Sequence, residues 1–212
     1  MTSPMPKPLV FPVILAVPAH ERTLRGRDQV VFLSRYARYA LELSANKSAV
    51  ELKAPTKDAD GVPQPTDGIF WSVTHKPDYV GAVVAGKRIG IDLENIRPCS
   101  DKLFKKVGQP YEWGLSNGNL EGLFFRYWTS KETVLKATGV GFKGLSKCRV
   151  ASVQDDYHLE INFQDRPWPI EHCYFDGHIA SVLAVNSAIQ WTLLDEALQP
   201  LAPEKIKKPD SR

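Results

Sequence analysis

The chain lacks a strong excess of charge of either sign: 27 Lys and Arg stand against 24 Asp and Glu, a net charge of +3 over 212 residues. That excludes a dedicated nucleic-acid binder, whose basic excess is far larger, but leaves room for a local basic patch facing a phosphorylated ligand or an acidic protein. Cysteine is scarce. Cys99, Cys148 and Cys173 lie far apart with no C-x-x-C spacing, which supports neither a disulfide framework nor a zinc site and fits a reducing compartment. No apolar run approaches the roughly 20 residues that a membrane span needs. The apolar stretch 9–17 follows Lys7, yet Pro12 interrupts it and no small-residue cleavage site follows. It reads as a first β-strand rather than a signal peptide. The expectation is a cytoplasmic protein with neither membrane nor nucleic acid among its partners, long enough to bury a core as one domain or two small subdomains.

What is present has a clear order. Residues 22–45 read as a helix, with Val30, Leu33, Ala37, Ala40 and Leu41 forming an apolar stripe and Arg22, Arg25, Arg27, Arg35 and Arg38 crowding the same stretch. Residues 53–68, rich in Pro and Gly, read as a loop. Strands are expected at 69–74, 79–85 and 88–94, with 85–87 as a hairpin-like turn between the last two. Short helices follow in 101–116. The longest helix runs over 119–138, with Asn119 as N-cap and Gly139 as its stop. Further strands are expected near 149–153, 157–163, 178–185 and 189–194, and a disordered tail from residue 199. Residues 79–84 (YVGAVV) and 179–184 (IASVLA) echo one another, each followed by a short turn and another strand.

Three segments carry chemistry. In 90–94 (GIDLE), Asp92 and Glu94 are two apart on a strand and so share a face, while Ile91 and Leu93 point into a core. Side-by-side carboxylates repel unless a cation or proton sits between them. A hydrated surface pair and a hard divalent-cation site are both compatible with that pattern. In 128–139 (WTSKETVLKATG), Trp128, Glu132 and Lys136 follow at steps of four and share a helix face; the plain account of Glu132 and Lys136 is an ion pair. Phe124, Phe125 and Trp128 read as core. In 70–76 (FWSVTHK), His75 lies just past a strand beside the Thr74 hydroxyl and Lys76, a weak phosphate-binding signal by itself.

Taken together, these segments resemble the 4′-phosphopantetheinyl transferases, specifically the monomeric surfactin-synthetase-activating type. That family shows a strand ending in Ser-His, then G-I-D-x-E, then an aromatic-rich helix with W-[ST]-x-K-E-x-x-x-K-x-x-G. This chain reads SVTHK, GIDLE and WTSKETVLKATG in that order, and Arg22-Thr23-Leu24 matches an Arg-Thr-Leu at the start of the family's first long helix. The resemblance covers about residues 20–190. It implies an α+β fold of two pseudo-symmetric halves, each a small antiparallel sheet packed with helices, with the active site between them. The corresponding division is 1–98 and 99–198, followed by the 199–212 tail.

The resemblance also implies the activity: a monomer moving the phosphopantetheine arm of coenzyme A onto a serine of an apo-acyl or peptidyl carrier protein and releasing 3′,5′-ADP. Asp92, Glu94 and Glu132 are then expected to ligate Mg²⁺. Asp92, Glu132 and Lys136 form the catalytic group, with Glu132 as base directly or through a water. Arg22, Thr74, His75, Lys131 and Lys136 bind coenzyme A, Arg22 most simply at the 3′-phosphate. The rival readings are another Mg²⁺-dependent phosphoryl-transfer enzyme, such as a nuclease, and a non-catalytic carrier-binding module.

Two departures stand out. Thr74 replaces the usual serine and keeps the hydroxyl, and the loop reads Gly61-Val62-Pro63 where the family usually has Gly-Lys-Pro. Coenzyme A phosphate contacts are then fewer, or come from Arg25, Arg27 or Lys76. Residues 101–107 (DKLFKKV) place Lys102, Lys105 and Lys106 around Leu103 and Phe104. That pattern suits either an ordinary half-buried helix or a docking face for an acidic carrier protein.

Overall fold

The computed structural model describes residues 7–199. The expected tail therefore lies, Gln199 apart, outside the described residues. The first apolar stretch forms two strands, β1 (Leu9–Val10) and β2 (Val13–Ala16). Pro12 has no N–H to donate, and the ladder breaks there. The gap is closed by Ser44, whose Oγ donates to the Phe11 carbonyl (2.7 Å) and accepts from the Val84 N–H (3.1 Å).

Helix α1 (Gly26–Lys47) begins later than the expected residue 22, and Val30 of the expected stripe is exposed. Arg22 sits instead on a separate 3-10 turn (Glu21–Thr23), because Leu24 and Arg25 are extended (ψ 148° and 160°) and interrupt the helix. Leu33, Ala37, Ala40 and Leu41 of α1 pack on the inner face of a four-stranded sheet. That sheet has the order β11-β2-β4-β3, with β3 (Phe70–His75), β4 (Tyr79–Ala85) and β11 (Thr192–Leu194).

The expected hairpin at 85–87 does not form. Strand β4 pairs with β2 and β3, whereas β5 (Ile91–Asn95) pairs antiparallel with β9 (His178–Leu183) in a second sheet. The crossing point is Gly90, where a Cβ would collide with the Thr133 carbonyl oxygen. The first residue of the GIDLE motif thus lets β5 run tight against a helix.

That helix is α3 (Leu120–Thr138), capped by the Asn119 side chain accepting from the Gly122 N–H at 2.6 Å and followed by Gly139. It is preceded by the short helix α2 (Asp101–Val107) and a 3-10 turn at Glu112–Gly114. The second sheet has the order β5-β9-β8-β7-β6, with β6 (Arg149–Val153), β7 (His158–Phe163) and β8 (Arg166–Phe175). Strand β8 is absent from the sequence reading because Pro167 and Pro169 look like breakers. They are tolerated because β9 pairs with β8 only from Ile170 onward; past it only the Pro169 carbonyl is used, accepting from the Ala184 N–H (2.8 Å), and no ladder asks either proline for an N–H. The remaining strand, β10 (Ala188–Ile189), pairs parallel with β1.

The two-half architecture is visible in the strand order. The unit β2-α1-β3-β4 lies as β2-β4-β3, and β5-α3-β8-β9 lies as β5-β9-β8, both antiparallel. The sequence echo of 79–84 with 179–184 falls on the equivalent strands β4 and β9. The halves also exchange chain: β5 crosses from the first to the second, and β11 returns to lie parallel to β2. Ile14, Tyr79, Leu93, Phe175 and Leu193 form an apolar cluster between the sheets. Phe124, Phe125, Tyr127 and Leu135 of α3 belong to the main core. Among the described residues, no helix is long and apolar enough to cross a membrane.

Candidate functional site

Strand β5 alternates as its sequence requires. Ile91 and Leu93 are fully buried in apolar clusters, and Asp92 and Glu94 share the other face, 5% and 8% exposed. Asp92 lies between β3 and α3: its Oδ1 accepts from the Thr74 hydroxyl (3.0 Å) and from Lys136 Nζ (2.9 Å). Lys136 also donates to the Ile91 carbonyl at 3.1 Å, which fixes the ammonium at the seam between the halves. Glu94 Oε1 accepts from Lys76 Nζ (2.7 Å) and from the Trp128 indole N–H (3.0 Å). Trp128 is therefore part of the site as well as of the core. Its spacing of four from Glu132 was the available signal, outweighed by the apolar stripe around it.

Glu132 projects from α3 toward the same carboxylates. Burial, then the negative charge of Asp92, raises its pKa from 4.5 to about 7; Lys136 opposes the rise, Glu94 adds to it, and Lys76 opposes it. Two oxygens at this meeting point, Asp92 Oδ2 and Glu132 Oε1, are buried without any hydrogen-bond partner. Unsatisfied buried carboxylate oxygens are costly, and a hard cation would satisfy both. Among the described residues no three Asp, Glu, His or Cys side chains form a ready-made metal cage. Asp92, Glu94 and Glu132 could instead hold a hard divalent cation in an open site whose remaining positions are left to a ligand's oxygens.

His75 ends β3, exposed. Desolvation by the surrounding protein, then the charges of Lys136, Lys76 and Lys57, lower its pKa from the usual 6.5. Arg22 is joined to the β3–β4 turn: its Nε donates to the Val17 carbonyl (2.7 Å), and Nη1 lies 3.7 Å from Asp78 Oδ1. Of the other cations considered, Arg25 donates to the Arg22 and Leu24 carbonyls (both 2.7 Å), and Lys76 is held by Glu94.

Lys131 is not brought to this group. It is 0% exposed, and its Nζ bonds Glu112 Oε1 (2.6 Å) and the Val107 carbonyl (2.7 Å) on the far side of α3. Glu132 and Lys131 are neighbours in sequence and so point in different directions around the helix; the lysine belongs to a buried ion pair rather than to a phosphate site. The same Glu112 accepts from the Val150 N–H (2.7 Å) and the Gln109 N–H (2.6 Å), so Lys131 and Glu112 fasten the α2–α3 connection to β6.

Residues 88–184 match the model of the 4′-phosphopantetheinyl transferase superfamily. That stretch contains Asp92, Glu94, Glu132 and Lys136, whereas Arg22, Thr74 and His75 precede it. The chain is 38% identical over 91 residues to the 4′-phosphopantetheinyl transferase HetI of Nostoc sp. (strain PCC 7120), covering 40% of this chain and 38% of that protein. It is 24% identical over 124 residues to a 4′-phosphopantetheinyl transferase of Bacillus subtilis, covering 57% and 55%. To the 4′-phosphopantetheinyl transferase psf-1 of Bacillus pumilus it is 28% identical over 110 residues, covering 47% and 44%. The matched stretches thus span between 38% and 55% of these curated relatives. Over residues 88–184, somewhat under half of its length, the chain is thus similar to the 4′-phosphopantetheinyl transferase superfamily.

Proposed function

We propose that this protein is a 4′-phosphopantetheinyl transferase of the surfactin-synthetase-activating type, which moves the phosphopantetheine arm of coenzyme A to a serine of an apo-carrier protein. The observation that carries the reading is the pair of orphaned oxygens on Asp92 and Glu132, buried beside Lys136 where the two halves meet. Asp92, Glu94 and Glu132 would hold Mg²⁺, which supplies neutralisation of pyrophosphate charge when bound. The chain's own groups do the rest. Thr74 and Lys136 fix the Asp92 carboxylate, and Lys76 and Trp128 fix Glu94. Glu132, its pKa about 7, is poised to take the proton of the carrier serine, directly or through a water. The serine oxygen bonds to the β-phosphorus, the bond from that phosphorus to the bridging oxygen breaks, and 3′,5′-ADP leaves with the electron pair. Positioning and charge neutralisation are what phosphoryl transfer chiefly asks of a protein.

The carrier would dock beside α2. Leu103 is 41% exposed and Phe142 51% exposed, with the Lys106 ammonium 5.3 Å above the Phe142 ring. Lys102 and Lys105 lie on the same helix, while Phe104 packs inward on Trp113 and Phe124. An apolar centre ringed by lysines suits the acidic surface around a carrier serine. The test is to incubate the protein with coenzyme A, Mg²⁺ and a panel of apo-carriers and to weigh the carriers. The phosphopantetheine mass should appear on one or more of them, and Asp92→Ala should abolish the transfer with the fold intact. No mass gain on any carrier, or a fully active Asp92→Ala variant, would refute the reading.

A further inference from the structure

Strand β7 begins at His158, so β8 loses its neighbour on that side just past Glu171. The last bond between them runs from the His172 N–H to the Tyr157 carbonyl (2.8 Å), while the Tyr157 N–H is turned to Asp155 Oδ1 (2.7 Å). The N–H and C=O of a residue on an antiparallel strand point the same way. The His172 carbonyl therefore faces the place where β7 has ended and receives nothing from Tyr157. A cavity of about 410 Å³ opens there. Tyr157 and Tyr174 line it, their rings nearly at right angles (78°, centroids 6.1 Å apart), together with Trp191, His158 and Glu171.

The polar groups of this cavity are short of a donor. The Trp191 indole N–H donates to Glu171 Oε1 (3.0 Å), and Glu171 Oε2 lies 3.6 Å from His158 Nε2. His158 Nδ1 is 2.9 Å from both Asp155 oxygens. A neutral imidazole with its one N–H on that carboxylate leaves the Nε2 lone pair facing the Glu171 oxygen. Two acceptors so placed call for a donor between them, and the His172 carbonyl is a third. No lysine or arginine lines the cavity, and among the described residues Glu171 has none as partner. Burial raises the Glu171 carboxyl pKa; Trp191 and His158 oppose the rise and Asp155 adds to it. A cation beside the carboxylate would relieve that burial. The walls are fixed in advance, because the buried Arg126 of α3 donates to the Asp155 and His158 carbonyls and so holds the turn that carries Tyr157.

The cavity is separate from the carboxylates of the candidate site. His172 turns its ring to α3, Nε2 3.1 Å from Ser130 Oγ, on the side of the sheet where Lys136 of α3 reaches Asp92. Glu171 and Cys173 alternate to the other face, where Cys173 and Trp191 join the apolar cluster between the sheets.

We infer that this cavity binds a small protonated amine with an apolar body. The ammonium donates to Glu171, His158 and the His172 carbonyl, and the body lies against Tyr157, Tyr174 and Trp191, whose rings also favour a cation. The volume falls within the range of small-molecule sites, about 300–1,000 Å³. A quaternary ammonium fits less well, since it brings charge without the N–H that the acceptors lack. None of this depends on the transferase reading.

The test is calorimetric titration at pH 8, above the ordinary imidazole pKa, with 2-phenylethylammonium, tetramethylammonium and 2-phenylethanol as probes. The first should bind with a Kd of about 1 mM or tighter. The other two, one without N–H and one without charge, should bind at least about tenfold more weakly. Glu171→Gln keeps an acceptor for Trp191 and removes the charge. It should weaken 2-phenylethylammonium by about tenfold, with thermal melting showing the fold intact. Absence of 2-phenylethylammonium binding below about 10 mM, or equal binding of either control, would overturn the site on the wild type alone, whether or not the variant folds. An unchanged Kd in folded Glu171→Gln would overturn it too.

Discussion

Replacing Glu132 with Gln keeps the shape of the side chain and removes its charge. In the wild type the carboxyl is raised from 4.5 to about 7, first by burial and then by Asp92, with Glu94 adding to the rise and the ammonium groups of Lys136 and Lys76 opposing it. Between those two values the folded chain holds a proton that the unfolded chain has released, so stability falls as pH rises from 4.5 to 7 and the full cost is present above 7. At about 1.36 kcal/mol per tenfold change in proton affinity, the rise corresponds to about 3 kcal/mol, reduced by the partial exposure of Glu132 to about 2 kcal/mol. Glu132→Gln should therefore be more stable than wild type at pH 8 in metal-free buffer, by about 4–8 °C in Tm for a chain of this size. At pH 4 the two should melt together.

Added Mg²⁺ should raise the wild-type Tm and narrow the gap, since the cation meets the same charge that the substitution removes. The same variant should lose about 10² or more in kcat if Glu132 is the base. The assay is thermal melting from pH 4 to pH 8 with and without Mg²⁺, beside carrier-modification rates. A pH-independent Tm difference would refute the electrostatic account of Glu132. Near wild-type turnover would refute its role as base.

Reversing Lys105 and Lys106 to Glu should raise KM for the carrier and leave KM for coenzyme A alone; steady-state kinetics varying each substrate in turn would show it, and an unchanged carrier KM would remove α2 from the docking face. Arg22→Ala should weaken coenzyme A more than dephospho-coenzyme A in the same kinetics, whereas equal loss would assign Arg22 to holding the Val17 carbonyl and Asp78 together. Lys131→Ala should leave Glu112 as a buried unpaired charge and cost about 3–5 kcal/mol in urea unfolding. Lys131→Met should be milder in the presence of Glu112→Gln than alone, because no charge is then left without a partner.

The parts of the fold that were legible in the sequence are those whose signals are local. Asn119 and Gly139 bracket α3 to within a residue because capping acts over one turn. The alternation of 91–94 gives the faces of β5 correctly because the period of a strand is fixed. The turn at 85–87 misled because turn residues say that the chain reverses, not which strand it then joins; that depends on the fit of Gly90 against Thr133, far away in sequence. Strand β8 was hidden because Pro167 and Pro169 oppose a strand everywhere except along an unpaired side, and only the end of β9 creates that side.

The site divides the same way. The direction of Asp92, Glu94, Glu132 and Lys136 was legible because each lies at a strand or helix spacing that fixes which way it points. Lys131, a coenzyme A ligand only by what the resemblance implies, lies instead in a buried ion pair, since neighbours on a helix are turned about 100° apart. Its destination was set by Glu112, whose carboxylate also holds the Val150 and Gln109 amides.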